Sequence, residues 1–175
     1  ATGTQTSPLT IGTANQHVGG GFIFSVNTSS TNVSSITINE EGNVNANSNL
    51  SNLDLYYEYD STSACTYNAD ETLYGTDAAF DGSDVAVVTG SMTVSSTPVC
   101  VYPVLDVGAG ASDGQTIDLE ISLPRSDIIV GAGATTTPVT AVAITGSTSL
   151  QANVISITGT CKQWDQSTNC ADSET

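Results

Sequence analysis

Apolar positions in this chain recur every second residue rather than every third or fourth. Residues 115–123 show it most strictly: Ile117, Leu119, Ile121 and Leu123 alternate with Thr116, Asp118, Glu120 and Ser122. That is the pattern of a strand with one buried face. Residues 99–107, VCVYPVLDV, form an apolar strand just upstream, and the small-residue loop from Gly108 to Gly114 between the two predicts a hairpin. Further strands are expected at 22–26, 33–39, 53–59 and 85–94, with Phe22, Phe24, Val26, Ile36, Ile38, Leu53, Leu55, Tyr57, Tyr59, Met92 and Val94 turned to the buried face. Residues 125–130, 139–145 and 150–158 supply closing strands, and a weak polar strand is expected around Val44. Residues 60–84 read as a long acidic loop with at most a short strand near Leu73 and Tyr74. Pro103 cannot donate a ladder hydrogen bond, so its strand should lie at an edge or carry a bulge there.

No apolar period of 3.6 persists without interruption by Gly, Pro or a β-branched run, so the fold class is all-β. Turn signals at spacings of roughly eight to twelve residues predict an antiparallel β-sandwich of about nine to ten strands, immunoglobulin-like or jelly-roll-like. Residues 14–160 form the sandwich. Residues 1–13, polar and extended around Pro8, are either its first strand or a free arm available as a donor strand, and residues 161–175 form a closed loop and acidic tail.

Charge changes the picture of partners. The chain carries 2 Lys plus Arg against 18 Asp plus Glu, a net charge of −16, which opposes binding to nucleic acid or anionic membrane. Yet only 11% of residues are charged, and 26 Thr and 22 Ser dominate the polar positions. A hydroxyl-rich coat of this kind points outside the cell rather than to the cytosol. Four Cys, an even number, favour an oxidising compartment. Cys161 and Cys170 flank a short loop and are natural partners, which leaves Cys65 for Cys100. A zinc site is the rival reading, against which stand the lack of a CxxC and the distance of the sole His, His17. No apolar run of 18 residues is present, so no direct membrane span is expected.

Candidate chemistry is sparse. The loop from Gly108 to Gly114 has GxGxxxG spacing with no Lys and leads into a strand, so it reads as a turn and not a phosphate cradle. Asp118 and Glu120 share an outward face, where solvated positions explain them better than a two-carboxylate catalytic pair. There is no GxSxG, and His17 reads as a loop residue. The segment 77–84, DAAFDGSD, places Asp77, Asp81 and Asp84 on a turn-rich stretch near Asp60, Asp70 and Glu71. Clustered carboxylates suit calcium, the one cofactor considered, although the spacing is not that of an EF-hand and a solvated loop is the alternative. Asn27, Asn32 and Asn49 fit the N-glycosylation pattern. Tyr56, Tyr67, Tyr74 and Trp164 are the aromatic side chains a sugar site would use.

The segments LSNLDLYYEYD (50–60) and CVYPVLDVGAGASDGQTIDLEI (100–121) resemble immunoglobulin-like β-sandwich modules of prokaryotic cell-surface and extracellular filament proteins, a likeness spanning residues 20–145. The resemblance implies a structural or adhesive unit and transfers no site residue. The C-terminal Cys pair resembles the disulfide loop that closes many type IV pilin headgroups. The expected function is a non-enzymatic structural subunit of an extracellular filament or cell-surface assembly, its partners being copies of itself or neighbouring surface modules. Strand donation from residues 1–13 would join them. The alternative is an adhesin, carbohydrate-binding or spacer module. A lone Lys162 and the lack of an LPxTG-like signal disfavour a sortase-built pilus.

Overall fold

A computed structural model describes residues 1–5 and 7–154. The expected Cys161–Cys170 pair, Lys162, Trp164 and the end of the last predicted strand lie outside the described residues.

Two five-stranded sheets face one another. The first is built on β4 (Thr31–Glu40), paired along its length with β7 (Val85–Val94), from Thr31 opposite Val94 to Asn39 opposite Val85. The other edge of β4 carries β11 (Ile128–Val130) and β10 (Leu119–Ile121), and β10 in turn carries β12 (Val142–Ala143). The second sheet is built on β8 (Val99–Val107), which lies between β5 (Leu50–Tyr59) and two short strands, β2 (Gln16–His17) and β3 (Phe22–Phe24). Strand β6 (Thr72–Ala79) flanks β5. A small third sheet joins β1 (Leu9–Thr10), parallel, to β13 (Thr148–Gln151), and β13 to β9 (Thr116–Ile117). Two single helical turns, α1 (Ala46–Asn49) and α2 (Pro124–Asp127), complete an all-β, sandwich-like fold of 13 strands among the described residues.

The core follows from the alternation. Val33, Ile36 and Ile38 of β4, Val88, Met92 and Val94 of β7, Leu53 and Leu55 of β5 and Val99, Val101 and Leu105 of β8 form one buried cluster. Both faces of β8 are buried. Its inward residues join the core, while Cys100 and Tyr102 face out and are covered by residues 60–70, which the Cys65–Cys100 disulfide holds down.

Several expectations are corrected. Residues 99–107 and 115–123 do not form a hairpin: β8 sits in one sheet while β9 and β10 sit in others. The loop between them carries the chain across the end of the sandwich and packs on α1, with Gly108 N–H donating to Asn49 O at 2.7 Å. Residues 60–84 are not one loop, because 72–79 form an eight-residue strand. That strand was hidden by its exposure, for only Tyr74 and Phe80 at its end are buried. Val44 precedes a helical turn rather than a strand, and α2 replaces the start of the strand expected at 125. Pro103 lies on a central strand, at the place where the neighbouring strand is broken between β2 and β3, and its carbonyl accepts from Val18 N–H at 3.3 Å. The sheets close on one side where β6 meets β7. A Cβ on Gly75 would lie 2.1 Å from Thr89 O and one on Gly90 2.2 Å from Tyr74 O, so only glycine lets the two backbones approach this closely.

Residues 1–13 are paired within the chain. Thr2 and Gly21 exchange backbone hydrogen bonds, Gln5 N–H donates to Thr145 O, and Ile11 N–H donates to Gln151 O. Gln5 is fully buried. Its Nε2 donates to Asp118 Oδ1 at 2.6 Å and to the carbonyls of Ile144 and Gly146 at 3.1 Å, while its Oε1 accepts from Leu119 N–H at 3.2 Å.

Glu40 ends β4 in a buried position, its Oε1 accepting from Gly42 N–H at 2.6 Å and Asp118 N–H at 2.9 Å. Burial outweighs those two hydrogen bonds, and the nearby Asp84 and Asp118 add to it, so the pKa rises from 4.5 to about 7. The folded chain therefore keeps a proton between pH 4.5 and 7 that the unfolded chain has lost, and stability falls as pH rises through that window. Discounted for partial solvent screening, the loss is on the order of 2 kcal/mol. Glu40→Gln should flatten the pH dependence of urea midpoints in this range and stabilise the chain at pH 8. A slope unchanged by the substitution would refute the assignment.

Candidate functional site

Opposite the closed β6–β7 side, the sandwich is open. The edge of one sheet there is β3, and the edge of the other is β11; among the described residues each of these strands pairs on one side only, β3 with β8 and β11 with β4. Between them lies an apolar groove of about 420 Å³. Phe22, Phe24 and Val26 form one wall, Val33 and Val94 lie between the sheets, and Ile121, Ile128 and Val130 form the other wall. Ala1, Ser25, Thr31, residues 134–138 and Val142 complete the rim. No charged side chain lines it, on a chain whose net charge is −16. The groove arises from local sequence: the alternation of FIFSV turns Phe22, Phe24 and Val26 to one face, and the Gly19 to Gly21 run before it sets β3 off from β2. Such a cleft, flanked by two strand edges, can take an extended segment by backbone pairing with apolar side chains turned in.

A second feature lies on the outward face of the β8 sheet. His17, far from being a loop residue, is in β2 and is half-buried. Its ring packs on Tyr67 with centroids 4.4 Å apart and edge-on to Tyr102 at 5.9 Å. Tyr56 lies 6.3 Å from Tyr67, and Tyr102 Oη donates to Glu58 Oε1. Burial lowers the His17 pKa, against a hydrogen bond with Gly20 O and the charge of Glu71; burial and the Glu58 carboxylate raise that of Tyr102. Tyr67 reaches this cluster because the disulfide and the Asp60 turn fold its loop back. Asp60 accepts from Thr62 Oγ1, Thr62 N–H and Cys65 N–H, which pulls its pKa down to about 2. Tyr74, by contrast, is buried, its hydroxyl near Val33 O, and is no sugar platform.

The carboxylates of the acidic segment 77–84 are engaged by backbone N–H groups of their own turn, of β7 and of α1. Asp77 Oδ2 accepts from Val87 N–H at 2.7 Å, Asp81 Oδ1 from Ser83 and Val85 N–H, and Asp84 Oδ1 from Ala46 and Asn47 N–H at the start of α1. Asp77, Asp81 and Asp84 are not brought together as a ligand set. Among the described residues the one group of three potential ligands within 4.8 Å is Asp60, Cys65 and Cys100, whose sulfurs are joined to each other. Asn27 lies exposed in a bend, Asn32 exposed on β4, and Asn49 half-buried in α1. Asp118 is held by Gln5, and Glu120 accepts from Ser122 Oγ at 2.6 Å.

Sequence reasoning missed the groove as a unit, and Gln5 and Glu40 as buried polar anchors. The apolar signal of each groove residue was present, but nothing local says which of them is left without a neighbour. Among the described residues no helix is long and apolar enough to cross a membrane. Compared with protein-family models, curated proteins and solved structures, the chain matches none.

Proposed function

We propose that this chain is a non-catalytic structural subunit of an extracellular filament or cell-surface assembly, joined to its copies by strand insertion. The observation that carries the reading is the largely apolar groove, free of charged side chains, between two one-sided edge strands. Monomers generally cover such edges, since an open one is a template for pairing. The hydroxyl-rich coat and the disulfide fit an oxidising exterior. Residues 1–13, paired at home here, are one source of the inserted strand through exchange between copies.

Negative-stain electron microscopy tests this. At 0.15 M salt, where repulsion between subunits of charge −16 is screened beyond about 8 Å, the chain should form regular polymers. Phe24→Asp, which puts a charge into the half-buried groove wall, should leave the fold intact and abolish them. Monomers at every salt and protein concentration, or polymers indifferent to Phe24→Asp, would overturn the proposal.

The aromatic cluster favours a second reading, an adhesin or carbohydrate-binding module. Tyr56 and Tyr67 are half-exposed beside Glu58 and Glu71, a surface on which a sugar ring can stack and hydrogen-bond. Glycan-array binding lost on Tyr67→Ala would support it.

A further inference from the structure

We infer that the groove is filled by residues 153–158 of a second copy of the chain, entering head to tail; this rests on the assembly reading above and names its connecting strand. The sequence there, NVISIT, alternates Ile155 and Ile157 with Ser156 and Thr158, is rich in β-branched residues, and has no charge from Asn153 to Thr160. These are the properties of a strand that turns one apolar face into a dry cleft. A segment lacking carboxylates is not repelled by another copy as the acidic stretches are, a property it shares with residues 1–39. Val154, where the described residues end, is 78% exposed.

Geometry decides whose groove it enters. The chain leaves the sandwich at the far end from the cleft. Strand β13 runs past Ile117 and Thr116 toward Asp113, whose carboxylate accepts from Ala152 N–H at 2.9 Å. Ile121 marks the near end of the groove, and Thr116 is five residues back along the chain toward that exit, about 16 Å away at 3.3 Å per residue. Thr116 lies beyond Glu40, its carbonyl accepting from Asn43 N–H. Ile155 and Ile157 are one and three residues past Val154, so they reach at most about 10 Å from it. They fall short of the home groove. A copy stacked end on presents its groove where the segment emerges. Donor and acceptor are then different surfaces at opposite ends, a heterologous contact that propagates into a filament rather than closing as a dimer.

Two full-length variants with opposite defects test the inference. Ile155→Asp/Ile157→Asp spoils the donor and leaves the groove; Phe24→Asp spoils the groove and leaves the donor. Each alone should sediment as a monomer, with assembly weakened at least about a hundredfold by the one or two carboxylates placed in the cleft; the donor variant should keep a melting temperature close to wild type, and the Phe24 variant, altered where the side chain packs on the core, should keep its β circular dichroism at the assay temperature. Mixed, they should form a one-to-one dimer and stop, because one intact donor meets one intact groove. Polymers from Ile155→Asp/Ile157→Asp equal to wild type would overturn this donor while sparing the assembly reading. A large drop in melting temperature of the donor variant would place 153–158 in its own sandwich and overturn the inference. Monomers for wild type and mixture alike would overturn both readings.

Discussion

Replacing Cys65 and Cys100 together by alanine should lower the unfolding free energy by about 4 kcal/mol. The bond closes a loop of sequence separation 35, and the chain-entropy relation gives that magnitude for a loop of this length. The loss is large against the 5–15 kcal/mol typical of a whole domain. Its structural share falls on the outward face of β8, where residues 60–70 cover Cys100 and Tyr102 and bring Tyr67 onto His17. Urea titration of the double variant, followed by tyrosine fluorescence and by far-ultraviolet circular dichroism, measures both parts. The midpoint should fall, and the near-ultraviolet tyrosine signal should weaken even where the backbone remains folded. A loss below about 1 kcal/mol would mean that the Asp60 turn alone holds the loop.

The residues that were legible are those whose environment is set by their own strand. Val85 to Val94 was readable to the residue because β7 has one face in the core and one in water, so alternation marks both its extent and its inward side. For β4, expected at 33–39 and found at Thr31–Glu40, and for β5, expected from 53 and found at Leu50–Tyr59, the inward residues were legible and the full extent was not. The Cys65–Cys100 pairing was legible by elimination among four cysteines. Strand β6 was not, since an edge strand with few buried positions lacks the apolar half of the pattern.

Partner choice was less legible than strand existence. Alternation says that residues 115–123 have a buried face, not which sheet supplies the other side of it. A seven-residue small loop is compatible with a hairpin and with a crossover. What sends the chain across is the contact of Gly108 and Gly110 with Asn49, a residue about sixty positions away. The groove was hidden for the same reason: Phe24 in β3 and Ile128 in β11 are ordinary core residues in sequence, and only the tertiary arrangement leaves the gap between them open. Asp81 accepts backbone N–H groups of its own turn and Asp84 those at the start of α1, roles that use the same residue types as a metal site and that spacing alone does not separate from one.

Gln5→Ala should cost about 3 kcal/mol, close to the disulfide in size though it removes one exposed-looking residue from a polar stretch. The fully buried amide satisfies Asp118 Oδ1, two backbone carbonyls and the Leu119 N–H. Alanine leaves the buried Leu119 donor and Ile144 acceptor short of a partner, while the exposed Gly146 carbonyl can turn to water, and unmade buried hydrogen bonds carry the larger penalty. For a chain of this size the melting temperature should drop by roughly 10 °C, and exchange of the Leu119 amide should quicken. Gln5→Glu should be worse at pH 7, because it sets a carboxylate against Asp118, and should recover as the pH falls and one of the two takes a proton. A loss within about 0.5 kcal/mol for Gln5→Ala, the range of ordinary surface changes, would remove Gln5 as an anchor. The dependence on protein concentration then separates two ways of using residues 1–13. If the segment stays in its own sandwich, the deficit is the same at every concentration. If copies exchange it, Gln5 fills a neighbour's site, the stability of that contact follows mass action, and the deficit changes as the protein is diluted.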